Sequence, residues 1–196
     1  MRKLIMVASF AFSLLATAAF ADDAQSCWRN VSLGQYGLAL QPCAAAAEQG
    51  NARAQNTLGV MYQEGWGVAQ SNTEAVRWYR AAAEQGDEAA QTNLGVMYQQ
   101  GLSVSQNYTK AVYWYRSAAE QGYELAQFAL GALHAQGLGV ERDFIQAYIW
   151  SNIAAANGYE LAAELRNISA MQLTEQQIAE AQARAQRCLD SNYTHC

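Results

Sequence analysis

Residues 51–86 of this 196-residue chain read NARAQNTLGVMYQEGWGVAQSNTEAVRWYRAAAEQG, and residues 87–122 read DEAAQTNLGVMYQQGLSVSQNYTKAVYWYRSAAEQG. The two stretches align without a gap and agree at 22 of 36 positions. A third copy, YELAQFALGALHAQGLGVERDFIQAYIWSNIAAANG, fills 123–158. Self-similarity at such a period marks a repeat architecture, in which each unit leaves apolar faces for its neighbours to cover.

Within the period, the roles of matched residues identify the unit. Gly50, Gly86, Gly122 and Gly158 each follow an alanine-rich run and read as helix stops. A second pause falls at Gly65, Gly101 and Gly137, so each unit is two helices joined by a short loop. Ser71, Asn107 and Asp143 stand in register as N-caps of the second helix. Glu74 and Gln146 three residues on predict capping boxes in the first and third copies, which Lys110 denies the second. In the first helix Ala54, Leu58, Met61 and Tyr62 recur as Ala90, Leu94, Met97 and Tyr98; in the second, Ala75, Trp78, Ala82 and Ala83 recur as Ala111, Trp114, Ala118 and Ala119. Both sets lie on single helical faces. Gly59, Gly95 and Gly131 sit in the middle of the first helix, where glycine costs about 1 kcal/mol against alanine, so a close approach by the partner helix is expected.

The run A-x-A-Q-x-x-L-G-V-M-Y-Q-x-G-x-G-V-x-Q followed by A-V-x-W-Y-R-A-A-A-E-Q-G resembles the Sel1-like repeat, a relative of the tetratricopeptide repeat. The resemblance covers 51–158 closely, and more loosely Ala39 with Glu48-Gln49-Gly50 before it and Tyr159 to Ala162 after it. It implies an all-α fold, an αα-hairpin repeat solenoid wound as a right-handed superhelix, and a role as a protein-binding adaptor. In tetratricopeptide-like units the first helices line the concave face. Carried onto this chain, the groove positions are Arg53, Asn56, Val60, Gln63 and Glu64; Thr92, Val96, Gln99 and Gln100; and Leu125, Phe128, Ala132 and Ala135. That groove is mostly neutral and turns from polar to apolar along the chain, which suits a peptide or helix with an apolar end; the alternative is that Leu125 and Phe128 simply pack under the C-terminal cap. The third copy departs from the pattern: His134 replaces Tyr, and Trp150-Ser151-Asn152 replaces Trp-Tyr-Arg. With no acid, cysteine or second histidine placed to work with it, His134 reads as packing rather than as a base or ligand.

The repeats lie between two ends that must act as caps. Residues 1–21 read as an export signal, with Arg2 and Lys3, an apolar run from Leu4 to Ala16, and Ala19-Phe20-Ala21 for cleavage. Residues 22–50 read as a capping hairpin with helices over 23–33 and roughly 38–49. Cys27 and Cys43 are each eight residues from Gln35, and so stand at similar height, about 12 Å from the turn at about 1.5 Å per residue; they are expected to bridge. Pro42 implies that the second helix either begins there or is kinked. Residues 159–196 read as capping helices, the last starting at a capping box of Thr174 and Gln177 and presenting Ile178, Ala181, Ala185 and Cys188 on one face. Cys188 and Cys196 would tie down the tail. An even cysteine count behind an export signal favours disulfides over metal, and no pair has C-x-x-C spacing.

Loss of residues 1–21 would take the formal net charge from −5 to −7, which argues against nucleic acid and anionic lipid. The expectation is an exported, periplasmic or secreted module without cofactor or metal, not an enzyme, that binds another protein or peptide and does not insert in a membrane after signal cleavage. An inhibitor or immunity-type protein that blocks an enzyme is the alternative. A hydrolase is the weaker one: cysteine-rich relatives of the family are known as β-lactamases, but they carry a cysteine pair in each repeat, and 51–158 contains none. Sequons begin at Asn30, Asn107, Asn167 and Asn192.

Overall fold

A computed structural model of the chain describes residues 23–193 and Cys196; the export segment expected over 1–21 lies outside the described residues. Among these, every regular element is an α-helix. None is long and apolar enough to cross a membrane. The chain divides into two compact units, the first ending at Ala82 and the second beginning at Ala83.

The first unit contains α1 (23–32), α2 (Tyr36–Glu48), α3 (Ala52–Glu64) and all of α4 (Asn72–Ala83) but its last residue, Ala83, which belongs to the second. Its core is built largely of alanine around the Cys27–Cys43 disulfide: Ala24, Ala39, Ala46, Ala47 and Ala54 pack with Leu58, Met61 and Trp78. Small side chains let the helices approach closely, so the buried disulfide and Trp78 supply the bulk. Helix α2 starts at Tyr36 and runs through Pro42, so the option that it begins at Pro42 is ruled out. A proline inside a helix leaves the carbonyl four residues back without its backbone donor. That carbonyl, Leu38 O, accepts instead from Asn30 Nδ2 at 3.2 Å. The loop before α4 closes onto the start of α2, with Trp66 stacked on Tyr36 at 4.5 Å between centroids. Gly67 has φ of +69°, and a Cβ there would lie 2.6 Å from Tyr36 O, so glycine is required on both counts.

The second unit holds α5 (Glu88–Gln100), α6 (Tyr108–Ala119), α7 (Glu124–Gln136), α8 (Phe144–Ala156), α9 (Ala162–Ala170) and α10 (Glu175–Asp190). Each of α5 to α8 packs on the next, and α10 folds back onto α8. Thr174 and Gln177 form the reciprocal capping box that opens α10, and Ala181, Ala185 and Cys188 are its buried face. Cys188 is joined to Cys196. The tail so held places the ring of Tyr193 on Gly122, where a Cβ would lie 2.6 Å from it, and its hydroxyl 3.0 Å from Asn157 Oδ1.

The mid-helix glycines have the expected cause. A Cβ on Gly59 would meet the Tyr79 ring at 2.6 Å and one on Gly95 the Tyr115 ring at 2.7 Å. At Gly131, where Ser151 replaces the tyrosine, the nearest atom is Ala147 O at 3.3 Å. The second helices are capped differently from expectation. Ser71, Asn107 and Asp143 do accept from first-turn amides. Their own N–H groups donate to Tyr62, Tyr98 and His134 carbonyls at 2.8, 2.9 and 3.0 Å, so no amide is left for Glu74 or Gln146 to close a reciprocal box. Glu74 instead pairs with Arg77 at 2.8 Å.

Candidate functional site

On α3, Ala54, Leu58 and Met61 are fully buried, while Arg53 and Glu64 are exposed and Asn56, Val60 and Gln63 half-buried. Arg53, Asn56, Val60 and Glu64 are three or four residues apart and so share one outer stripe. The Arg53 guanidinium lies over the Trp28 ring, 4.5 Å from its centroid, which holds a charged side chain at a defined place on that stripe. Gln63 faces inward through its amide: Oε1 accepts from the Tyr79 hydroxyl at 2.7 Å.

In the second unit the corresponding positions divide. Thr92 is 1% exposed, with its hydroxyl donated to Glu88 O of its own helix, so it presents nothing outward. Val96 is half-buried and Gln100 exposed. Gln99 repeats the arrangement of Gln63, its Oε1 accepting from the Tyr115 hydroxyl at 2.7 Å. Burial raises the pKa of both tyrosines, Glu64 adding to the effect at Tyr79. They remain neutral donors. On α7, Leu125 is 37% exposed, and Phe128 packs on Tyr159 with ring centroids 4.8 Å apart; Ala132 and Ala135 are half-buried. Leu125, Phe128 and Ala132 make an apolar stripe at helical spacing on a first helix, where α3 carries a polar one.

His134 is buried at 7% exposure, and neither ring nitrogen has a hydrogen-bond partner. Burial lowers its pKa, the Arg116 cation lowers it further, and Asp143 opposes. The ring is therefore neutral near pH 7.

Some residues that hold the scaffold carry signals the sequence offers only in retrospect. Asn51 and Asp87 cap α3 and α5, accepting from Ala54 and Ala90 amides at 2.9 and 2.7 Å; their type is right for a cap. The repeated glutamine of the A-x-A-Q motif is buried. Gln55, Gln91 and Gln127 donate to the carbonyls of Ala47, Ala83 and Ala119 at the end of the preceding helix, at 3.0, 3.2 and 3.1 Å. In the second unit the same side chains accept from the end of their own repeat: Gln121 donates to Gln91 at 2.8 Å and Asn157 to Gln127 at 2.9 Å. A polar residue recurring on an apolar face was the available signal, since such a group is buried only when bonded.

The Sel1 repeat profile matches residues 52–87, 88–123 and 125–159. Among solved structures, a Sel1 repeat protein from Oxalobacter formigenes is 34% identical with a TM-score of 0.70, over 74% of this chain and 60% of its own. A protective antigen present in uropathogenic Escherichia coli strains, which displays an SLR fold, is 32% identical with a TM-score of 0.61, over 80% of this chain and 42% of its own. The chain thus spans less than two thirds of either. No curated protein matches it.

Proposed function

The chain belongs to the Sel1 repeat family, and from that premise we propose that it is an exported, periplasmic adaptor or regulator that binds a partner protein or peptide along its first helices. Repeats of this family commonly mediate protein interactions. The observation that carries the reading is an outer stripe on a first helix of each unit: Arg53, Asn56, Val60 and Glu64 on α3 of the first, and Leu125, Phe128 and Ala132 on α7 of the second, lie outside the fully buried core positions of the same helices. Alternate polar and apolar anchoring suits a peptide or helix better than a highly charged ligand. Two disulfides favour an oxidising compartment.

The test is site-specific photo-crosslinking from Asn56 and Leu125 in the native host, with the captured protein then purified and titrated against the wild type, Arg53→Glu and Phe128→Ala. A direct partner loses affinity at least about tenfold with one of the two variants while their melting curves stay near wild type. Equal affinity for all three proteins would falsify the stripe as the binding surface. Cell fractionation that finds the chain only in the cytoplasm would remove the export part.

A further inference from the structure

Seven large apolar side chains are exposed among the described residues, and four of them, Leu125, Leu161, Ile168 and Met171, belong to α7 and the α9 segment. Apolar residues exposed singly need no cause, whereas a contiguous set marks a surface that something covers. Helix α9 keeps the register of α7 one period later: Ala162 and Ser169 are buried as Ala126 and Leu133 are. Leu161, Ile168 and Met171 therefore stand where α7 has Leu125, Ala132 and Ala135. The two helices come into contact, and Phe128 of the α7 stripe packs on Tyr159, just ahead of α9, with ring centroids 4.8 Å apart. The apolar stripe of α7 thus runs on into α9 and is more open there, with Leu161, Ile168 and Met171 at 60%, 50% and 81% exposure.

Leu161 and Met171, the residues that bound α9, both have right-handed helical backbone, so helical spacing holds from one to the other. Leu161, Leu165 and Ile168 are four and three residues apart and form one row. Glu164, three residues from Leu161 and four from Ile168, borders that row, and Glu160 stands one turn before it; both are exposed. Glu124 holds the matching place on α7. Over 123–136 and 159–171 the only Lys or Arg is Arg166, which is engaged with Asn152 Oδ1 and Asn167 Oδ1 at 3.4 Å each. The three glutamates have no ion pair among the described residues. The face is apolar along its middle and negative along its edge.

An occupant of such a face has to bring a row of apolar side chains with positive charge beside it. A second copy of this chain would set the same acids against each other, and an anionic lipid surface would be repelled. An extended segment finds nothing on an apolar row to bond its main-chain amides, whereas a helix satisfies its own. Resting on the first-helix reading above, we propose that the face α9 shares with α7 binds a basic amphipathic helix of a partner protein. Its apolar side lies on Leu161, Ile168 and Met171, and its Lys or Arg side chains meet Glu160 and Glu164.

Three end-blocked peptides of about four helical turns serve as probes on the intact protein. One is built of leucine and lysine with the leucines on one helical face, the second has glutamate in place of lysine, and the third is the first in scrambled order. The readouts are the Leu161, Ile168 and Met171 methyl signals in NMR titrations. The amphipathic lysine peptide is expected to shift all three saturably with a Kd on the order of 10 µM. The glutamate and scrambled peptides bind at least about tenfold more weakly. Ile168→Gln combined with Met171→Gln, both at exposed positions, weakens the lysine peptide at least about tenfold as read at Leu161. Glu160→Lys combined with Glu164→Lys reverses the preference between the lysine and glutamate peptides. Equal or tighter binding of the glutamate or scrambled peptide, or a wild-type Kd in either folded double variant, overturns the proposal. So do shifts of these methyls that follow the protein's own concentration, or added phospholipid vesicles, in place of the peptide, since the occupant is then a second copy or a lipid. Arg53→Glu leaves the titration unchanged. A native partner that depends on Arg53, with no peptide bound at α9, would leave the first-helix reading standing and this proposal refuted.

Discussion

Asn30 does for Pro42 what a backbone amide would do in an uninterrupted helix: its Nδ2 donates at 3.2 Å to Leu38 O, the carbonyl that Pro42 leaves open. Asn30→Ala should therefore destabilise the protein by about 0.5–1.5 kcal/mol in urea denaturation, the net worth of a partly exposed hydrogen bond. In a Pro42→Ala background the new amide reaches the same carbonyl and Asn30→Ala should cost less. A double-mutant cycle without coupling between the two positions would show that the contact carries no energy.

The three mid-helix glycines should not respond alike to alanine. Gly59→Ala and Gly95→Ala place a methyl 2.6 and 2.7 Å from buried tyrosine rings, which is overpacking and should cost about 1–3 kcal/mol. Gly131→Ala meets its nearest atom at 3.3 Å, and the gain in helix propensity of about 1 kcal/mol offsets much of the crowding. Chemical denaturation of the three single variants gives the order directly.

Gln127 is fully buried and bonded on both sides, to Ala119 O and from Asn157 Nδ2. Gln127→Leu keeps similar bulk but removes both bonds; Ala119 O keeps its bond from Gly122 N while Asn157 Nδ2 loses this acceptor, and a loss of about 1–3 kcal/mol is expected. Gln121→Ala, at an exposed position, removes the bond to Gln91 and a longer one to Ser117 O and should cost under about 1.5 kcal/mol. Similar losses for the two would mean that the buried glutamines act by packing alone.

Because burial, reinforced by Arg116, holds the His134 pKa below its ordinary value of 6.5, the unfolded chain binds a proton there before the folded one does. The stability tied to the neutral ring is thus fully present above about pH 6.5 and declines as pH falls from there toward the folded pKa. Melting temperatures of wild type and His134→Tyr between pH 7.5 and about 5 should diverge in slope, the wild type falling faster. Parallel profiles would contradict the shift.

Much of the fold was legible because the periodic features are local. A glycine after an alanine run, or a Ser, Asn or Asp ahead of an apolar face, states a helix end without reference to the rest of the chain. What escaped was set by contacts between helices. The boxes at Ser71–Glu74 and Asp143–Gln146 satisfy a sequence rule, but the cap amides point to carbonyls nine residues back in the preceding helix. Tryptophan drew attention in the second helix, although Tyr79 and Tyr115 are the larger fully buried groups and Trp114 is only half-buried. Of the candidate groove, Thr92 is buried, with its hydroxyl bonded to Glu88 O of its own helix, and Gln63 and Gln99 are tied up by tyrosine hydroxyls. A residue spaced correctly for an outer face can still be withdrawn from it by its neighbours, which the spacing does not record.

The pairing of Gln91 with Gln121 and of Gln127 with Asn157 has a consequence for how such an array grows. Each bond is made between a side chain early in one 36-residue segment and one at the end of the same segment or its like, while the carbonyl it also holds belongs to the segment before. Every copy thus brings its own half of the joint on either side. Gene duplication of a whole period would produce new joints already matched, whereas an insertion of any other length within a period would break one. Lengthening by entire modules is the route this chemistry leaves open.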